Sequence, residues 1–323
     1  VAEKLVNAYI NRLDKNPQLH DKIEFDVVQT AFDFSIDDNF AERYPSLLTK
    51  EELTSYKNAL RQITVDSIKL DKNSTLYSAL NDIELLKEMQ KKESVDNKNN
   101  SFLIADQINN LVNECVKYGT LPFSVLARHG FIAESLLRSS VKKEVITEER
   151  LKEFRRSIVT VAGEMSHNFN LVLSNKLTKG EYLVKYGHLR PSSYDILSPN
   201  YANRKDLFDG QMIREPHLME PFKLTNHEND GINRLLNENE IYTVDAEELL
   251  LYAEEAIKGR EYAKFVFTKH LSSILELTAE WGKLKGFTRE QVSMLNINEI
   301  LDILVSPLTK DVKVYFENKL NIA

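Results

Sequence analysis

The stretch PFSVLARHGFIAESLLRSS, residues 122–140, is apolar around nearly its whole circumference when wound as a helix. A surface helix shows one apolar stripe; a helix apolar on all sides needs neighbours on all sides. The stretch therefore reads as a central helix, around which the rest of the chain packs. Arg128 and His129 interrupt it, with Arg138 ten positions beyond Arg128. A charge on such a helix must be paired or must line a cavity. Pairing with a carboxylate such as Glu134 or Asp21, and contact with a bound ligand, both fit.

Outward from it, helical signals recur. Upstream, Leu103, Ile104, Ile108, Leu111, Val112 and Val116 fall at helical spacing over 102–118, with Gly119 at the expected position just past the end and Pro122 opening the next helix. Further helices are predicted over 76–91, from Thr49 to about Leu70, and over 1–15, closed by Asn16-Pro17. Residues 91–101, KKESVDNKNNS, read as a polar connector, and 23–34 fit a helix or a strand. The chain opens on VAEKLVNAY, already amphipathic and without Met, as expected of a mature segment or a piece of something longer.

Downstream, Thr147-Glu148-Glu149 starts a helix predicted to reach 174, and Thr178 caps a shorter one. Residues 195–228 are irregular, with three prolines, and helices return at 229–238, 245–257, 259–284, 288–295, 297–305 and 309–319. Only 10 Gly and 8 Pro in 323 residues argue against a many-turned β architecture. The expected fold is all-α: a helical half over 1–186, an irregular central region over 187–228 and a second helical half over 229–323, or one continuous domain.

The net charge of −7 gives no support to nucleic acid or a membrane surface as partner, and no run of 18 apolar residues suggests a transmembrane helix. A single cysteine, Cys115, excludes an internal disulfide, fits a reducing, cytoplasmic setting and reads as a buried small hydrophobe. Asp21 and Glu24 have only His20 beside them, so no metal site is expected.

One stretch breaks the helical run: KYGHLRPSSYDILSPNY, residues 185–201. Gly187 permits a conformation or close approach denied to other residues, and Pro191 and Pro199 keep their predecessors out of the helical region. Between them lie an imidazole (His188), a guanidinium (Arg190), a phenol (Tyr194) and a carboxylate (Asp195). A guanidinium grips phosphate or carboxylate through paired hydrogen bonds, and an imidazole can donate a proton near neutral pH. The alternative is an internal lock, with Arg190 paired to Asp195 or to helix ends. A third candidate lies at Gly259-Arg260-Glu261-Tyr262-Ala263-Lys264, where a helix start would put Arg260 and Lys264 on one face; pairing with Glu254, Glu255 or Glu261 fits equally.

The segment YGHLRPSSYDILSPNY resembles the Tyr-Gly-His…Pro…Asp…Ser-Pro signature of phosphoenolpyruvate-utilising enzymes, in the helical middle region of the group that includes phosphoenolpyruvate synthase-like proteins and rifampin phosphotransferase. NPQLHDKIEFDVV, GTLPFSVLARHGFIAESLLRSS and GREYAKFVFTKHLSSILE are similar to the same region, so the likeness runs from about 5 to 305. Two departures stand out: Arg190 sits one place later than in the rifampin enzymes, and Asn200 stands where the family usually has Arg. The resemblance implies a cytoplasmic phosphotransferase in which an ATP-binding domain, with Mg²⁺, phosphorylates a histidine on a swivelling domain, which delivers the group to an acceptor. Neither of those domains, nor any cofactor site, is expected in this chain; Gly163-Glu-Met-Ser166-His167 approaches the phosphohistidine motif but lies in a helical pattern.

On that resemblance His188 and Arg190 are the candidate catalytic pair, with Tyr194, Asp195, Arg128, Arg260 and Lys264 contacting a small phosphoryl- or carboxylate-bearing acceptor. The partners would be that acceptor and the other domains of the polypeptide. The competing readings are a helical scaffold with no ligand and a self-standing module for a small anionic or aromatic molecule.

Overall fold

The computed structural model describes residues 1–91, 100–209, 221–304 and 311–322; the connector at 92–99 lies outside the described residues, as do 210–220 of the irregular region and 305–310. Fourteen α-helices and no strand occur among the described residues, so the fold is all-α. In chain order they are α1 (Ala2–Lys15), α2 (Ile36–Arg43), α3 (Lys50–Ser67), α4 (Thr75–Gln90), α5 (Ser101–Cys115), α6 (Leu121–Lys142) and α7 (Glu148–Ser157). There follow α8 (Val161–Leu173), α9 (Lys179–Tyr186), α10 (Asn226–Glu238), α11 (Ala246–Leu284), α12 (Arg289–Ser293), α13 (Ile297–Leu301) and α14 (Val312–Ile322). No described helix is long and apolar enough to cross a membrane.

The chain divides into two compact units that interleave in sequence. The first takes Val1–Ala79, Ser124–Val159 and Leu218–Arg260; the second takes Leu80–Phe123, Thr160–His217 and Glu261–Ala323. The units do not follow the sequence boundaries at 187 and 229. α4, α6 and α11 each supply residues to both.

In the first unit α6 carries Leu126, Ile132, Ala133, Leu136 and Leu137, all essentially without exposure. Burying one such leucine contributes on the order of 2 kcal/mol. Several buried polar groups there are paired: Phe34 N donates to Ser139 Oγ at 3.1 Å, and Phe32 N to Thr64 Oγ1 at 3.0 Å. His129 lies between Thr75 Oγ1 at 2.9 Å and the Tyr252 hydroxyl at 3.0 Å, and burial pushes its pKa down to about 4. A second cluster joins Leu5 of α1 to Phe40 and Tyr44. The ambiguous stretch near 23 resolves into a π-helical turn, Ile23–Val27, followed by extended and bent backbone.

In the second unit Val172, Tyr182 and Tyr186 gather Phe169, Leu189, Phe208 and Phe265. Trp281 is buried against Phe316 of α14. Cys115 is buried as well; desolvation pushes its thiol up to about 11, which keeps it a protonated hydrophobe.

Three helix boundaries differ from the sequence reading. Gly119 does not end a helix: a π-helical turn, Val116–Thr120, carries α5 into α6. Gly119 serves instead a close approach, since a Cβ there would lie 2.8 Å from Phe267 Cβ. The helix expected over 147–174 is two, α7 and α8. Ile158 is extended and buried, and Thr160 starts afresh by accepting from Gly163 N. Conversely, α11 runs 39 residues straight through Gly259, so no helix N-terminus exists beside Arg260.

Candidate functional site

The signature segment lies in the second unit and is held at both ends. A capping box between Thr178 and Glu181 starts α9, whose Tyr182 and Tyr186 rings pack 4.8 Å apart in the core. The chain leaves the helix at Gly187 and returns against it: Tyr201 N donates to Leu189 O at 2.8 Å and Ala202 N to Gly187 O at 3.0 Å. Gly187 has ordinary right-handed backbone angles. Its requirement is space, because a Cβ would meet Leu183 O at 2.3 Å and Ala202 Cβ at 3.2 Å. Asn200 caps the following short turn by accepting from Asn203 N at 3.0 Å.

Inside this loop Arg190 is the pin. Its side chain is 2% exposed. Nη1 donates to the main-chain oxygens of Ser198 (3.2 Å) and Asp195 (3.4 Å); Nη2 donates to Ser272 Oγ (2.8 Å) and Glu276 Oε1 (3.1 Å). Only Nε finds no partner. Glu276 is shared, for Arg289 grips both its oxygens at 3.0 and 2.8 Å and donates through Nε to Ile196 O at 2.5 Å. Burial works to raise the Glu276 pKa, yet Arg289 and Arg190 together leave it below the usual carboxylate range. The internal lock thus exists, but its carboxylate is Glu276. Asp195 supplies only a carbonyl to Arg190 and spends one carboxylate oxygen on Leu197 N at 2.8 Å.

His188 is half-buried, its ring centred 4.9 Å from that of Phe265 and its Nε2 3.1 Å from Phe265 O. Burial pushes its pKa down to about 4. At neutral pH the ring is therefore neutral, and Nε2–H donates to the carbonyl. Its other neighbours border a hollow of about 390 Å³, where Lys269 faces Glu276 and Glu280. Glu276 is already held by Arg190 and Arg289, and Glu280 offsets Lys269, so the lining offers no surplus positive charge to an anion.

Tyr194 and Asp195 face elsewhere. Both are exposed, Tyr194 by 68%, and both line an apolar hollow of about 430 Å³. Its walls come from Cys115 of α5, Val116 and Thr120 of the π-helical turn, Ile274 and Thr278 of α11, and Ile300 of α13. Among the described residues no lysine or arginine lines it.

The remaining candidates do not join this loop's hydrogen-bond network. Lys264 is exposed on α11, in the second unit, with no ion-pair partner among the described residues. Arg128 and Arg260 belong to the first unit. Arg128 donates to Thr30 O, and the Arg260 guanidinium lies 5.3 Å from the centre of the Phe131 ring. Arg138, not Arg128, pairs with Glu134, at 2.5 Å. His167 is exposed on α8. Among the described residues no group of three or more His, Cys, Asp or Glu could hold a metal ion.

Sequence reasoning missed Ser272, Glu276 and Arg289. Each sits in an ordinary helical pattern, and Glu276 is 86 residues from the arginine it pairs with. Local signals could not have found them. Comparison with known proteins adds no relative: no family model matches the chain, and no curated protein or solved structure matches it.

Proposed function

We propose that this chain is the central helical part of an ATP-dependent phosphotransferase resembling phosphoenolpyruvate synthase, and that the second unit presents the acceptor pocket. The observation that carries the reading is the exposure of Tyr194 and Asp195 on the lining of an apolar hollow, behind a loop that Arg190 holds from within. A pocket largely apolar, with a few convergent polar groups, is the usual form of a small-molecule site. The apolar lining, with no cation among the described residues, favours an acceptor with an apolar body and a hydroxyl over one carrying phosphate or carboxylate.

In this reading Arg190 and His188 shape the loop, and Asp195 and Tyr194 meet the acceptor. A phosphohistidine supplied by another domain of the polypeptide would lose its phosphoryl group to the acceptor hydroxyl. The P–N bond breaks, the P–O bond forms, and the hydroxyl proton passes to the free oxygen of Asp195. ATP and Mg²⁺ would act on the resemblance's other domains, and no step here runs through them.

A full-length polypeptide containing this chain should release AMP and phosphate from ATP faster when an apolar alcohol is added, and pyruvate should not substitute for it. Turnover stimulated by pyruvate alone, or by no acceptor, would reject the pocket. The second reading is a helical scaffold without a ligand, favoured by the complete internal use of the Arg190 Nη atoms. It predicts no saturable binding of any alcohol in this hollow.

A further inference from the structure

A second hollow, of about 180 Å³, lies wholly within the first unit. It is far larger than the roughly 10–15 Å³ one water needs, and well below the roughly 300 Å³ at which drug-sized sites begin. One wall is the π-helical turn Ile23–Val27, which contributes Glu24, Phe25 and Asp26. Single π-helical turns occur disproportionately at functional sites. The lining carries both signs in equal number: Glu24, Asp26 and Asp33 against Arg43, Arg138 and Lys142.

These charges are not all free. Arg138 is spent on Glu134, and its guanidinium lies 4.4 Å from the centre of the Phe25 ring. Lys142 donates to Asn39 Oδ1 at 2.6 Å. Arg43, half-buried on α2, has no hydrogen-bond or ion-pair partner among the described residues. The carboxylates of Glu24 and Asp26 likewise meet no donor among the described residues. Asp33 is 5% exposed and accepts from Gln29 Nε2 (2.8 Å), Ser35 N (2.7 Å) and Asn39 Nδ2 (3.5 Å), all neutral donors. Arg43 acts on this carboxylate only through space, without a hydrogen bond or close ion pair among the described residues, and burial, the larger effect, raises its pKa.

We propose that this hollow binds a small zwitterion of the α-amino acid class, its carboxylate received by Arg43 and its ammonium by Asp33 with Glu24 and Asp26. A bare anion would be attracted by Arg43 but repelled by Glu24, Asp26 and Asp33, and a bare cation would meet the reverse at Arg43, Arg138 and Lys142. Only a ligand carrying both charges on a short frame satisfies both ends. Phe25 offers the one aromatic wall, so a short or polar side chain fits best.

The test is titration calorimetry on the full chain, with glycine, L-serine and L-glutamine as probes and acetate and methylammonium as the two halves. At least one amino acid should bind at one site per chain, and each half should bind at least about tenfold more weakly. Arg43→Gln removes a half-buried group with no hydrogen bond or close ion pair among the described residues, so it should fold normally and weaken binding by at least about tenfold. Asp33→Asn should do the same where it folds. If the Arg43 variant were to unfold, the comparison of intact and half ligands on the unaltered chain decides alone. Failure of all three amino acids to bind, acetate binding as tightly as glycine, or unchanged binding in folded Arg43→Gln would each overturn the site. None of these outcomes bears on the acceptor pocket, which lies in the other unit.

Discussion

Arg190 and Arg43 are opposite cases. Arg190 sits in the most conspicuous stretch of the sequence, yet its Nη groups are spent within the protein. Arg43 sits in a helix that no sequence signal distinguished, yet it borders a hollow with no hydrogen bond or close ion pair among the described residues. Conspicuous chemistry in a sequence marks where the chain needs something special. The structure shows whether that need is internal. Around Arg190 it is the fixing of an irregular loop; around Arg43 the side chain borders a hollow, which is the basis of the proposed site.

The sharpest way to break this contrast is to strip the carboxylate that Arg190 shares. Glu276→Ala leaves a guanidinium that is 2% exposed without its ion-pair partner, and Arg289 likewise. Removing one member of a buried pair is strongly destabilising, and since Glu276 is itself 32% exposed the loss here should be about 3 kcal/mol, read from the urea midpoint. Arg43→Gln, measured alongside, should move that midpoint little. Equal shifts in the two variants would erase the distinction.

Acid sharpens the comparison between the units, because each holds one histidine with a pKa pushed to about 4 by burial. Unfolded histidine titrates near 6.5, so the unfolded chain binds more protons between these values. Stability is therefore intact above about pH 6.5 and is lost as pH falls towards 4. The buried His129 should account for roughly 3 kcal/mol of that loss and the half-buried His188 for less. Denaturation midpoints of His129→Gln, followed from pH 7 to 4.5, should show a flatter slope than the unaltered chain. An unchanged slope would mean that His129 is protonated in the fold.

Gly187→Ala is a smaller perturbation. Its methyl group would meet Leu183 O and Ala202, and should destabilise the chain by about 1–3 kcal/mol, seen as a lowered melting temperature. Tyr194→Ala is smaller still for stability, within about 0.5 kcal/mol, because the ring is exposed. The same variant should weaken acceptor binding, and retention of both properties would leave Tyr194 without a role.

Much of the helical order was legible because the signals are local. Thr49 with Glu52 and Thr178 with Glu181 form the capping boxes their spacing permits, and α6 is central as its all-round apolarity requires. Two of the three boundary differences share one cause, while the break at Ile158–Thr160 runs the other way. Local preference puts a helix end at Gly119 and a helix start at Gly259, whereas packing carries helical winding through both. The candidate site was legible only as a loop. Which atoms Arg190 binds depends on Ser272 and Glu276, more than 80 residues away, and no local pattern encodes that meeting. The contribution of α2 and the turn at Ile23–Val27 to the second hollow was likewise set by tertiary packing.

The division of labour within residues 187–203 is tested most directly by comparing Asp195→Asn with Arg190→Met in a full-length polypeptide, scoring acceptor-dependent ATP turnover per folded molecule. Asparagine keeps the oxygen that accepts from Leu197 N, so Asp195→Asn should fold as stably as the unaltered protein and lose roughly a hundredfold or more in turnover. Arg190→Met should unfold more readily while each folded molecule stays within a few-fold of normal. Full turnover in Asp195→Asn, or loss of turnover in folded Arg190→Met equal to that of Asp195→Asn, would contradict the account.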